Sequence, residues 1–81
     1  MILPTISKHG TSKDELMSQL KDLKFQLEAC KRQLSRSYPH SRDYSIAKEL
    51  LEANREFNEL YDNLDKVYNY VQARLEAVDL L

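Results

Sequence analysis

From Leu16 to Leu34 the apolar residues Leu16, Leu20, Leu23, Leu27, Cys30 and Leu34 follow one another at alternating spacings of four and three. That alternation keeps one stripe of an α-helix apolar, as in the heptad seam of a coiled coil. A second seam with the same spacing runs through Ala47, Leu50, Asn54, Phe57, Tyr61, Leu64, Tyr68, Val71, Leu75 and Val78. Ile46, Ala53, Leu60 and Val67 widen it on one flank, and a stripe that broad usually meets more than one neighbour. The pattern predicts two helices and no strand.

Local signals place their ends. Ser12 and Glu15 form a capping box, in which the hydroxyl and the carboxylate each take a free N–H, and Asp14 suits the positive end of the helix dipole. Lys31, Arg32 and Arg36 suit the other end. Pro39 forces Tyr38 out of helical geometry, and Ser41 with Asp43 can start a second helix. The expected architecture is all-α: an antiparallel, coiled-coil-like two-helix hairpin. An N-terminal arm spans 1–11, helix 1 about 13–37, a turn 38–41, and a long helix 2 about 42–79. So short a turn sets Leu34 against Ile46, Leu27 against Leu50 and Leu51, and Leu16 against Tyr61 and Leu64. Helix 2 then outruns helix 1 from about Val67 onward. That end is expected to seek another chain unless Ile2, Leu3 and Ile6 of the arm cover it.

Composition sharpens this picture. Eighty-one residues make one small domain, and a single glycine with two prolines leaves the chain almost free of helix breakers. Net charge is −1, but residues 1–42 carry eight Lys/Arg and four Asp/Glu, whereas residues 43–81 carry four and nine. Opposite halves favour folding back over parallel self-pairing. Cys30 is the single cysteine, which excludes an internal disulfide. The chain has neither a 20-residue apolar run nor a signal-peptide pattern at its start, and a cytoplasmic location is expected.

Chemistry finds little support. His9 and His40 have no metal-ligand spacing, and Cys30 on a seam reads as a small buried hydrophobe. A phosphate loop needs more than Gly10, and a di-metal bundle needs Glu-x-x-His pairs. The acidic series of helix 2 describes a solvated face. No catalytic residue, cofactor or metal is expected. The unusual residues are those suited to a protein partner: Phe25, Asn54, Tyr61, Tyr68, Tyr70, Val71, Leu75 and Val78. Tyrosine is bulky yet tolerates a wet edge, as interfaces require. Asn54 on a seam can fix register, and Phe25 lies off the first seam altogether. Each has a plainer reading as a partly wet hairpin residue or an isolated exposed apolar one.

The segments "LKFQLEACKRQL", "PHSRDY" and "LLEANREFNELYDNLDKVYNYV", within residues 15–71, give a layout that resembles the small helical-hairpin subunit of type III secretion needle-protein chaperones. The resemblance implies a cytoplasmic, non-enzymatic co-chaperone. It would prop a larger helical-repeat partner and help keep an aggregation-prone secretion-system subunit monomeric. The competing expectation is a small homo-oligomeric helical bundle that binds RNA or serves as a structural coiled-coil adaptor. Asp22 and Glu28 interrupt the basic residues of helix 1, which argues against nucleic acid.

Overall fold

The computed structural model describes residues 1–7 and 10–81, so His9 lies outside the described residues. The chain is an antiparallel helical hairpin of 61 × 20 × 17 Å. Helix α1 spans Lys13–Arg36 and helix α2 spans Ala47–Asp79, with a single 3-10 turn at Ser41–Asp43 between them. No strand occurs among the described residues.

Helix α1 starts where its cap predicts. The Ser12 hydroxyl accepts from the Glu15 N–H at 3.1 Å. It ends at Ser37, whose N–H donates to the Leu34 carbonyl.

Helix α2 starts five residues later than the expected Arg42. The His40 ring nitrogen Nδ1 accepts from the Arg42 N–H at 3.2 Å, and the Asp43 N–H donates to the His40 carbonyl. These bonds close a 3-10 turn, and the chain leaves it through Tyr44 and Ile46 in extended geometry. Ile46 then caps α2 without a side-chain bond. The connection is therefore residues 37–46 and lies along α2: the Tyr38 ring packs on Phe57, centroids 5.6 Å apart, and its hydroxyl donates to the Phe57 carbonyl.

This long connection overturns the expected register. The Lys13 ammonium donates to the Asp79 carbonyl, Tyr68 meets Glu28, and Lys31 meets Asp65. Helix α2 is thus displaced along α1 by roughly 17 residues from the expected pairing, about 26 Å at 1.5 Å per residue. The overhang lies at the opposite end. The first turns of α2 extend past α1 beside the connection, and the last turns pack against α1.

The C-terminal half of α2 consequently holds the core. Val71 and Val78 are 4% and 1% exposed, and they are the buried hydrophobic residues of the described chain. A lone pair of helices leaves its seam half wet; here the arm adds cover. Arg74, between the two valines, donates to the Ile2 carbonyl at 2.6 Å, and Leu3 and Pro4 of the arm are half-buried, whereas the Ile2 and Ile6 side chains expected to cover this end are exposed. Lys13 at the start of α1 satisfies a terminal carbonyl of α2, where a cation also suits the dipole.

Candidate interaction surface

The seam of α1 is rotated from the one that apolarity alone suggests. Leu16, Leu20, Leu27 and Leu34 are half-buried as expected, whereas Leu23 and Cys30 are exposed. Half-buried Met17, Lys24 and Lys31 take their place on the inner side. The lysines face the tyrosines of α2: the Lys31 ammonium lies 4.6 Å from the Tyr68 ring centroid and 5.5 Å from that of Tyr61, and Lys24 lies 5.9 Å from Tyr68. Two lysines seven residues apart interleave with two tyrosines seven residues apart, each ring offering its electron-rich face to an amine.

Polar bonds reinforce one edge of this contact. Lys31 pairs with Asp65 at 2.6 Å, and the Tyr68 hydroxyl donates to Glu28 at 2.8 Å. The Asp65 bond holds the Lys31 pKa above its ordinary value, against some opposing desolvation. The Glu28 bond, with desolvation second, raises that of Tyr68. Glu28, Lys31, Arg32, Ser35, Tyr61 and Tyr68 line a shallow cleft here. Within it the Lys31 ammonium is paired with Asp65 and the Tyr68 hydroxyl with Glu28.

Glu28 follows seam residue Leu27 and Asp65 follows seam residue Leu64, so in an antiparallel pair the residues that follow each seam position share one edge. They are Lys21, Phe25, Glu28, Arg32 and Ser35 on α1, and Asp62, Asp65, Asn69, Gln72 and Glu76 on α2. The residues that precede each seam position share the opposite edge. They are Gln19, Leu23, Gln26, Cys30 and Gln33 on α1, and Leu60, Asn63, Val67, Tyr70 and Arg74 on α2. Arg74 is the one charge among these ten, and the arm engages it. The other nine are all exposed. Leu23, Leu60, Val67 and Tyr70 keep 45–52% of their surface in water. A chain that is 31% charged thus presents an uncharged, half-apolar edge.

The eight residues expected to bind a partner are dispersed. Val71 and Val78 are internal core, and Leu75 is a half-buried seam residue, because the register brings α1 and the arm onto the end of α2. Tyr61 and Tyr68 belong to the lysine–tyrosine contact. Asn54 is half-buried on the early part of α2, away from the overlap with α1. Tyr70 is exposed on the uncharged edge, and Phe25, 63% exposed, lies on the charged one. Sequence reasoning missed Leu23 and Cys30 as surface residues, having placed both in the seam, while it put Leu60 and Val67 on a widened flank. The lysine pair Lys24/Lys31, matched in spacing to Tyr61/Tyr68, was the signal that could have rotated α1 correctly.

Among the described residues no three His, Cys, Asp or Glu side chains are grouped to hold a metal ion, and no helix is long and apolar enough to cross a membrane. No protein-family model, curated protein or solved structure matches the chain.

Proposed function

We propose that this protein is a non-enzymatic interaction subunit that docks a helical protein partner on the uncharged edge of its hairpin. The observation that carries this reading is the exposure of Leu23, Cys30, Leu60, Val67 and Tyr70 on one edge. Apolar surface gathered on one side of a small protein marks an interaction site, whereas scattered exposure does not. Packing helices against that edge would supply the additional neighbour that a broad apolar stripe calls for.

The finer reading is a co-chaperone that props a larger helical partner and helps hold a secretion-system needle subunit in the cytoplasm. It rests on the layout of residues 15–71 alone. Affinity purification of a tagged copy from the native host, followed by mass spectrometry, tests both levels. A bait carrying Leu23→Lys and Val67→Lys should lose the partners that the native bait retains. Recovery of a helical-repeat protein together with a needle subunit would support the finer reading. Equal recovery by both baits would remove the uncharged edge from the interaction.

A further inference from the structure

We infer that the occupant of the uncharged edge is a second copy of this chain, giving a two-fold, antiparallel four-helix bundle. The inference rests on the interaction reading above and names its partner.

Charge selects both the occupant and the arrangement. A hetero-partner that steers by charge would find only Arg74, held by the arm at one end of this edge, whereas the rest of the edge is complementary to itself: uncharged glutamine, asparagine and apolar side chains meet their like without repulsion. A two-fold interface requires such a self-matching patch. The helices then decide the stacking. Helix α1 has six Lys/Arg and four Asp/Glu, and α2 has four and eight. A two-fold axis parallel to the helices sets each α1 against the partner copy's α2, so every adjacent helix pair is antiparallel and opposite in net charge. The alternative axis would stack α1 on α1 and α2 on α2, placing like charges together. The charged edges remain outside in both copies and stay in water, where they need no new partner.

Size sets the strength. The strip from Leu23 to Leu34, matched by Leu60 to Val71, is about 17 Å long by the helical rise. The hairpin is 20 Å wide. That footprint is roughly 340 Å² per copy before side-chain relief, or about 680 Å² in total, below the range of stable specific interfaces, so the dimer is expected to be weak and transient.

Sedimentation equilibrium of the full chain across a wide concentration range tests this. The expected mass rises from 9.5 kDa toward twice that value. Leu23→Lys and Val67→Lys should each weaken association at least tenfold at unchanged helicity, and Phe25→Lys on the charged edge should leave it unchanged. Cys30 lies within the strip, so its reaction with a thiol reagent should slow as native chains associate, a readout that needs no substitution. A chain that stays monomeric at every concentration, a dimer indifferent to both edge variants, or one broken by Phe25→Lys would overturn the inference. An apolar fluorescent dye separates the two levels. If a monomeric chain binds the dye and Leu23→Lys with Val67→Lys abolishes it, the sticky edge stands and the second copy falls. If the monomer also ignores the dye, both readings fall.

Discussion

The two edges of the hairpin differ more than its two helices do. On the charged edge Lys31, Asp65, Glu28 and Tyr68 bond across the helices, with Tyr61 beneath the Lys31 ammonium. On the uncharged edge Leu23, Cys30, Leu60 and Val67 sit at equivalent places, exposed. Both flank the same seam. The contrast teaches that polar groups can specify which residues meet while apolar groups beside them stay available. Ion pairs and hydrogen bonds are directional and fail when displaced by one turn; apolar contacts tolerate such displacement. The charged edge therefore sets the internal register, and the uncharged edge stays exposed.

The most direct way to break this comparison is to measure the register. Ser18 should lie opposite Ala77, and labels there should report close approach within one chain. Labels at Ser18 and Asp62 should sit about 23 Å apart along the helix axis, about fifteen helical steps from the matched position. Close approach of Ser18 to Asp62 would restore the short-turn register and remove the charged edge as described; a single continuous helix would separate that pair by about 66 Å.

The seam between the edges should carry the largest energy. Val71→Ala and Val78→Ala each remove two buried methyl groups and should cost about 1.5–3 kcal/mol in urea unfolding. Leu51→Ala, on the part of α2 beyond α1, should cost less than about 0.5 kcal/mol. Equal losses would mean that the two halves of α2 are equally packed.

A smaller effect is expected from reversing one charge. Lys31→Glu places a carboxylate beside Asp65 and Glu28 and removes the amine from two tyrosine rings. Amide exchange should accelerate around residues 61–68 and 24–31, more than at Ile46 or Leu51. Leu23→Gln and Val67→Gln, on the other edge, should leave dilute-chain stability within about 0.5 kcal/mol. A large loss there would show that the uncharged edge supports the fold.

The weakest effect is pH dependence. Lys31 gains its partner in the folded state and its pKa is raised, so its contribution is fully present below its unfolded value of about 10.4 and fades as pH rises through the folded one. Tyr68 is raised as well, because its neutral hydroxyl donates to Glu28, and it acts in the same direction. Stability should therefore hold to about pH 10 and decline above it. Circular-dichroism melts of the native chain against Lys31→Met with Tyr68→Phe check this: the double variant should lose part of the alkaline slope. An identical slope would show that the charged edge does not titrate with folding.

Much of the local structure was legible. Ser12 capped α1 as its spacing with Glu15 implied, and nine of the ten expected seam residues of α2, from Leu50 to Val78, face inward or are half-buried. Pro39 marked the break, although it could not show that His40, Ser41 and Asp43 close a turn of their own before Tyr44 runs extended. The uncharged edge was only partly legible. Leu60 and Val67 were visible as a widened flank, but Leu23 and Cys30 were assigned inward, because two heptad stripes on α1 share Leu20, Leu27 and Leu34.

Sequence by itself determined that this chain makes two amphipathic helices that fold back on one another, since cap, proline and apolar period act within a few residues. Only the tertiary structure decided how far one helix slides along the other. A heptad seam repeats, so more than one displacement leaves apolar facing apolar and the pattern alone does not choose. The ten-residue connection, the interleaved lysines and tyrosines, and the Lys13–Asp79 and Arg74–Ile2 bonds chose, each joining residues far apart in the chain. That choice buried Val71 and Val78 and left Leu23, Cys30, Leu60 and Val67 on the surface.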